Sequence, residues 1–251
     1  MKRKNIVRLI SGAIVILAIV LLVKYAYESE DLDSSRQQQP DPIVSQEDAT
    51  QALNNAPLAF QENQGQTDEQ VGYLAKTAGS TIFLTSEEIV YTFKKGVIRQ
   101  SHVDANKEPI ITAKDELEFK TNYFIGNDPQ DWRTEVTTYA VVKYEDLYEG
   151  VDLQLKGDGG AMNYKYTLQP EINPETINVT FEGISQLYIN PDGTLVIQTD
   201  FGNVALQAPL ASQVIDGKNT SRIVRYILLD EKTFSFVVLD LDTQLPLSIE
   251  I

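Results

Sequence analysis

The sequence predicts an all-β fold: an antiparallel β-sandwich-like domain, with one sheet or two stacked sheets, after an N-terminal transmembrane helix. Three observations predict it. A single charge-free run lies near the N-terminus, at residues 9–23. Beyond residue 57, apolar and polar residues alternate with a period of two, and turn-forming pairs separate these segments at short intervals. No stretch beyond residue 57 keeps a helical apolar stripe for three turns.

Residues 1–27 are the predicted signal-anchor. Basic residues precede the apolar run and acidic residues follow it from Glu28 onward. Because the basic flank stays on the cytoplasmic side, we expect a single-pass protein with a cytoplasmic N-terminus and an extracytoplasmic C-terminal domain. A cleaved signal peptide is the alternative, and a buried core helix is a weaker third interpretation. Lys24 or Tyr27 would occupy a position where a cleavage site needs a small residue, which favours the anchor.

Residues 28–56 differ in composition from both neighbouring regions. Acidic residues, Gln, Ser, Asn and Pro dominate, and few large apolar side chains are present. Such a composition is typical of a flexible linker, which would hold a folded domain away from the membrane. We therefore expect an acidic linker over residues 28–56 and an all-β extracytoplasmic domain over residues 57–251.

The alternating segments each have one apolar and one polar face, which is typical of strands in an antiparallel sheet. These segments are residues 89–93, 151–156, 162–168, 177–182 and 234–238. The predicted turns are residues 78–79, 95–96, 127–129, 157–160, 190–193 and 216–217. Residues 245–251 are predicted to form the last strand, either buried within the domain or exposed as an edge to which another chain could pair.

Charge and composition exclude several classes of protein. The chain has 36 acidic and 21 basic residues, a formal net charge of −15, no cysteine and one histidine, His102. Binding to a nucleic-acid backbone depends on Lys and Arg, so we expect no nucleic-acid partner. Disulfides, thiolate metal sites and multi-histidine metal sites are excluded by composition. We expect no cofactor, catalytic residue or metal ligand, with calcium at Asp240 and Asp242 or at residues 157–160 as a weaker alternative.

Three stretches resemble a known family. They are residues 60–67 (FQENQGQT), followed by Phe83-Leu-Thr85; residues 122–153, the most specific; and residues 172–183, with the trailing NPDGTLVIQT. In this order they look like the uncharacterised β-rich domain that precedes SBBP-type (seven-bladed β-propeller) repeats in bacterial cell-surface proteins. The resemblance covers residues 57–251 and implies a surface-associated module with no established activity. Family members continue into propeller repeats after the segment that corresponds here to residues 246–249.

The motif residues are interpreted as structural positions, with glycines at turns that need a positive φ. The positions are Asn63, Gly65, Gln66, Asn122, Tyr123, Gly126, Asn127, Trp132, Gly150 and Asp152. Trp132 and Arg133 permit two interpretations. Trp132 covers a sheet edge with Arg133 stacked over it, or the pair is a ligand platform for carbohydrate.

His102 is predicted to be a solvated loop residue. Ser101 and Asp104 are its neighbours, but adjacent strand positions alternate between faces, which argues against a Ser–His–Asp triad. Among the 36 acidic residues, nothing in the sequence singles out a pair for glycoside hydrolysis.

The function expected from these features is a non-enzymatic, membrane-anchored cell-surface domain for adhesion, display or envelope assembly. Its expected partners are the membrane, through the N-terminal helix, and a surface protein or polysaccharide. A carbohydrate- or calcium-dependent binding module is the first alternative, and a carboxylate-dependent hydrolase is the second.

Overall fold

The computed structural model describes residues 58–77, 79–158 and 161–251. Over these ranges the chain is all-β, with strands joined by turns and two short 3-10 segments, Pro129–Asp131 and Pro174–Thr176. The predicted anchor and linker lie outside the described residues. Within the described ranges no helix is long and apolar enough to cross a membrane.

The strands are numbered in chain order. They are β1 (Phe60–Glu62), β2 (Tyr73–Lys76), β3 (Ser80–Leu84), β4 (Glu88–Phe93), β5 (Val97–His102), β6 (Ile110–Tyr123), β7 (Arg133–Tyr148), β8 (Val151–Asp158), β9 (Ala161–Leu168), β10 (Val179–Glu182), β11 (Gln186–Ile189), β12 (Leu195–Thr199), β13 (Gly202–Leu206), β14 (Leu210–Ile215), β15 (Lys218–Leu228), β16 (Thr233–Leu239) and β17 (Leu247–Glu250).

The described strands form one large antiparallel sheet and one small sheet. The large sheet has fourteen strands in the order β1-β2-β3-β4-β5-β10-β16-β15-β14-β17-β9-β8-β7-β6, and β11, β12 and β13 form the second sheet. An additional pairing between β1 and β7 makes the large sheet return on itself. Residues 60–61 and 138–139, which are far apart in the sequence, are therefore hydrogen-bonded neighbours.

Strand β7 explains this return. It pairs with β6 from Arg133 to Glu145 along one edge. Its other edge is shared, because Val141–Tyr148 pair with β8 whereas Thr138 and Tyr139 pair with β1. Strand β6 has no second partner among the described strands, and it carries charged residues that discourage pairing with another chain.

The core follows from the alternation in the sequence. Leu153 and Leu155 in β8, Tyr164 and Tyr166 in β9, and Phe236 in β16 are all buried. Each such side chain contributes about 1.5–3 kcal/mol when it leaves water. The strands predicted at residues 89–93, 151–156, 162–168 and 234–238 are confirmed. The strand predicted at residues 177–182 is present but begins later, as Val179–Glu182.

The C-terminal strand is an internal strand. β17 pairs with β14 on one side and with β9 on the other. The buried alternative for residues 245–251 is therefore confirmed, and the exposed-edge alternative is wrong. Turns at residues 95–96, 190–193 and 216–217 also lie where the sequence predicts them.

Two parts of the large sheet face each other across the interior. The Tyr144 hydroxyl of β7 donates to the Thr85 carbonyl between β3 and β4, at 3.0 Å. The Nε2 atom of His102 in β5 lies 2.8 Å from the Tyr166 hydroxyl in β9. These cross-interior contacts place β3–β5 opposite β7–β9.

Candidate functional site

A tight connection joins β6 to β7. Asp128 caps the 3-10 segment Pro129–Asp131, because its side chain accepts a hydrogen bond from the Gln130 N–H at 2.9 Å. The Trp132 N–H closes the segment by donating to the Pro129 carbonyl at 3.2 Å. The Asn-Asp-Pro turn predicted at residues 127–129 is thus present, and it fixes the backbone position of Trp132.

Large apolar side chains are exposed at this connection. Phe124 is 62% exposed, Ile125 is 39% exposed and Trp132 is 37% exposed. The rings of Phe124 and Trp132 meet edge to face, with centroids 5.0 Å apart and planes at 87°. We call Phe124, Ile125 and Trp132 the aromatic tip.

The loop after β1 is organised by its own side chains. The Asn63 amide donates to the carbonyls of Asp68 at 2.7 Å and Val71 at 2.8 Å. Its oxygen accepts from the N–H groups of Gly65 at 3.1 Å and Thr67 at 3.3 Å. The Gln66 amide closes the loop by donating to the Glu62 carbonyl at 2.6 Å. The first family motif, residues 60–67, is therefore held in place by hydrogen bonds within its own loop.

Arg133 joins this loop to the aromatic tip. Its Nε donates to the Gln64 carbonyl at 2.6 Å, and its Nη1 donates to the carbonyls of Gln130 and Trp132, each at 3.1 Å. Gly65 has φ +97°, and a Cβ there would lie 3.2 Å from Arg133 Nη2. The predicted stacking of Arg133 over Trp132 is wrong, because three backbone carbonyls hold the guanidinium instead. Residues 60–67 and 122–133, distant in sequence, thus meet at one place.

Tyr123 makes a second connection between the two motifs. Its hydroxyl donates to the Gln61 side-chain oxygen, and the Lys76 ammonium lies 4.5 Å from the centre of its ring. Burial raises the pKa of Tyr123 to about 12, so the hydroxyl stays protonated and remains a donor. The backbone beside the aromatic tip is therefore held to β1 and to the loop after it by Tyr123 and Arg133.

The remaining motif positions have structural roles. The Asn122 side chain accepts from the Glu135 N–H at 2.8 Å, Gly126 has φ +64°, and Asn127 is exposed. Gly150 has φ +72° in the turn between β7 and β8. Asp152 lies 2.8 Å from Lys143. Burial favours the neutral form of Asp152, but the hydrogen bonds from Lys143 and the Asp146 N–H, together with the nearby Lys charges, outweigh burial and lower its pKa.

His102 is not a solvated loop residue, so that prediction is wrong. It is the last residue of β5, opposite Val179 of β10, and its ring packs edge-on against Tyr148 and Tyr166. Burial lowers its pKa to about 4, so the imidazole is neutral near pH 7. The sequence alone does not indicate this environment, because Tyr166 is far from His102 in the sequence.

A cleft of about 280 Å³ opens beside His102. Acidic side chains line it, together with Ser101 and Lys107; these acidic residues are Glu87, Glu88 and Asp104. Glu88 is already paired with Arg99, at 2.6 Å. Ser101 lies opposite Thr180 in the sheet, and His102 is engaged by Tyr166, so the three neighbours do not form a triad.

In the described part of the chain, no cluster of metal-ligating side chains supports the calcium alternative. There, no group of three or more His, Cys, Asp or Glu side chains is placed to hold a metal ion. Asp240 follows β16 with φ +56°, and Asp242 accepts a hydrogen bond from the Gln244 N–H at 3.0 Å. Both residues therefore lie in a turn rather than side by side on a strand.

Sequence reasoning missed two features of this molecule. Phe124 had no place among the candidate residues, although its position beside an Asn-Asp-Pro turn was an available clue to exposure. It also missed a group of polar side chains in the interior, comprising Tyr91, Gln100 and Tyr164. Alternation shows that such residues are buried but not which of them meet.

Comparison with known proteins gives one match. A family model described as "Domain of unknown function (DUF7948)" matches residues 60–250, from the first residue of β1 to the last residue of β17. No curated protein and no solved structure matches the chain.

Proposed function

The chain belongs to the DUF7948 family, and we propose that it is a non-enzymatic, membrane-anchored adhesion module that binds polysaccharide through its aromatic tip. The main support for this proposal is that Phe124 and Trp132 are exposed, while Arg133 and Tyr123 hold the neighbouring backbone in place. Large apolar side chains held rigidly at a surface lose little entropy on binding, which makes them effective contact residues.

The chemistry around the tip favours a saccharide. One face of a sugar ring presents C–H groups, which pack against the electron-rich face of an aromatic ring. The hydroxyl groups of the sugar need hydrogen-bond partners, and the connection supplies exposed amide and carboxylate side chains. These side chains are Asn122, Asn127, Asp128, Gln130 and Asp131. The combination suits an uncharged polysaccharide better than an anionic one, because the chain is acidic.

Co-sedimentation with insoluble polysaccharides tests this function. The purified protein is mixed with chitin, cellulose or peptidoglycan, and the bound fraction is compared with that of a Trp132→Ala variant. We expect binding to at least one of them and a loss of at least tenfold in the variant, which is about 1.4 kcal/mol. Absence of binding to all three, or equal binding by the variant, would contradict the proposal.

Tyr188 supplies a matched control. It lies on β11 in the small sheet and is 37% exposed, the same fraction as Trp132. Tyr188→Ala removes an equally exposed aromatic ring away from residues 60–67 and 122–133. We expect it to bind polysaccharide as well as the unmodified protein. A loss of binding equal to that of Trp132→Ala would mean that exposed aromatic rings contribute to polysaccharide binding wherever they lie on the surface.

The cell-surface location is a separate part of the proposal. The charge-free run at residues 9–23 and the acidic linker at residues 28–56 support it, as does the resemblance to the domain that precedes SBBP-type propeller repeats. Protease shaving of intact cells should release fragments of residues 57–251. A mature N-terminus between residues 24 and 35 would contradict a retained anchor, and complete protection from protease would contradict surface display.

The acidic cleft beside His102 supports a second candidate function, a carboxylate-dependent hydrolase. Glu87 and Asp104 line one cleft, and glycoside hydrolysis needs two carboxyl groups about 5–10 Å apart. Soluble fragments released from the polysaccharides above would be the product. Glu87→Gln and Asp104→Asn should each abolish that release if this function is correct, and undetectable release by the unmodified protein would reject it.

A further inference from the structure

A second cleft, of about 280 Å³, lies between the large and small sheets. Strands β3, β4, β5, β9 and β10 contribute to it from the large sheet, and β12 and β13 contribute from the small sheet. Most of its lining is apolar, including Ile82, Phe93, Ile98, Met162, Ile197 and Leu206. It shares no lining residue with the aromatic tip.

One polar side chain in this cleft has an unused hydrogen-bonding group. Gln100 is only 3% exposed, and its Oε1 accepts from the hydroxyls of Tyr91 at 3.2 Å and Tyr164 at 3.0 Å. Its Nε2 has no hydrogen-bond partner among the described residues. Gln100 lines the cleft, so this N–H group can donate to a ligand that supplies an acceptor oxygen.

The surroundings of this amide are neutral. The hydroxyls of Tyr91 and Tyr164 are neighbours, and burial raises the pKa of both, so they stay protonated at neutral pH. The described residues that line the cleft include no Lys, Arg, Asp or Glu. A charged ligand would therefore lose its hydration without gaining an opposite charge.

We propose that this cleft binds a compact, uncharged, apolar molecule with one carbonyl or hydroxyl oxygen, which accepts a hydrogen bond from Gln100 Nε2. Sites for drug-sized ligands occupy roughly 300–1,000 Å³. The cleft therefore suits a molecule with one or two rings, or a short alkyl chain. This binding site is independent of the polysaccharide surface and does not rest on it.

A pair of probes isolates the hydrogen bond. 1-Indanone and indane share one ring skeleton and differ by a carbonyl oxygen. Their dissociation constants for the purified protein can be measured by ligand-detected NMR titration. We expect 1-indanone to bind at least fivefold more tightly than indane. Equal affinities would contradict the role of Gln100, and absence of binding by both would contradict the site.

Two variants separate the amide from the cavity. Gln100→Leu keeps the size of the side chain and removes the amide, so the preference for 1-indanone should disappear while indane still binds. Val204→Trp places a large ring at the lining of the cleft, so both probes should lose at least tenfold in affinity. The second variant keeps the proposal testable if Gln100→Leu does not fold.

Val214→Trp is the matched control. Val214 is an exposed valine on β14, outside the cleft, so the same substitution adds the same ring at a different place. We expect it to bind both probes like the unmodified protein. If Val204→Trp also binds them unchanged, the probes occupy another surface and the proposal is wrong. Binding to the tip would appear instead as sensitivity to Trp132→Ala.

Discussion

Aromatic side chains occur in two regions of this molecule with the same ring geometry and opposite surroundings. In the core, Phe234 and Phe236 meet with centroids 5.5 Å apart and planes at 90°. At the tip, Phe124 and Trp132 meet at 5.0 Å and 87°. The core pair is fully buried, whereas the tip pair keeps much of its surface in water. The edge-to-face contact alone therefore does not reveal whether an aromatic ring stabilises the fold or remains available to a partner.

The two regions are also held differently. Phe234 and Phe236 lie on β16, which pairs with β15 through six residues. The tip has no such ladder at Phe124 or Trp132, and it depends on Arg133 and Tyr123, which connect it to the loop after β1. The core is therefore stabilised by burial on paired strands, and the tip by a few hydrogen bonds to a neighbouring loop.

The largest effect should come from Phe236→Ala. It removes a fully buried ring that contacts Tyr166, Tyr226 and Phe234, and such truncations cost about 3–5 kcal/mol. Phe124→Ala removes the same ring at the tip and should change the free energy of unfolding by less than about 0.5 kcal/mol. Urea denaturation followed by circular dichroism measures both. Similar losses for the two variants would remove the distinction between the regions.

The next effect concerns pH and His102, which is half-buried beside Tyr148 and Tyr166, with Glu87, Glu88 and Asp104 in the adjoining cleft. Burial lowers the pKa of His102 to about 4, from 6.5 in the unfolded chain. The unfolded state therefore binds more protons between these values, and stability falls as the pH drops from 6.5 to 4. We expect this loss to be about 1–3 kcal/mol.

His102→Gln tests that assignment. The amide keeps a polar group near the Tyr166 hydroxyl but does not titrate, so the variant should lose less stability than the unmodified protein between pH 6.5 and pH 4. Urea denaturation at several pH values gives both curves. Parallel curves would show that the acidic groups of the chain, rather than His102, cause the dependence on pH.

The sequence predicted what depends on local periodicity. Leu153 and Leu155 alternate with polar residues, and the strand that contains them was predicted for that reason. The pairing of β1 with β7 was not predicted, because a register between distant strands leaves no local pattern. His102 was misplaced for the same reason, since the group that defines its environment, Tyr166, belongs to another strand.

The candidate site was predicted in part. Trp132 was recognised as a candidate ligand contact because it is the only tryptophan and follows a turn. The partner of Arg133 was predicted wrongly. Trp132 is its neighbour in the sequence, whereas the Gln64 carbonyl comes close to Arg133 only in the folded chain. Residues 60–67 and 122–133 were both identified as motifs, but the sequence did not show that they meet.

A smaller effect should follow from Arg133→Ala, which leaves the carbonyls of Gln64, Gln130 and Trp132 without their donor. Water replaces part of the lost bonding at this surface, so we expect a loss of about 1 kcal/mol in the free energy of unfolding. Arg99→Ala is the control, because Arg99 makes a single exposed ion pair with Glu88 and should cost less than about 0.5 kcal/mol. Equal losses would mean that Arg133 is an ordinary surface residue.

The smallest effect is local and spectroscopic. Because Trp132 is the only tryptophan, its fluorescence reports on the tip alone, whereas circular dichroism reports on the sheets. Phe124→Ala exposes the indole to water by removing its edge-to-face neighbour, so the emission maximum should shift to longer wavelength with the free energy of unfolding almost unchanged. Phe119→Ala removes an exposed ring from β6 and should leave the emission unchanged. An unshifted emission in Phe124→Ala would show that the two rings are apart in solution, and the tip would then lack the rigidity that its proposed binding role requires.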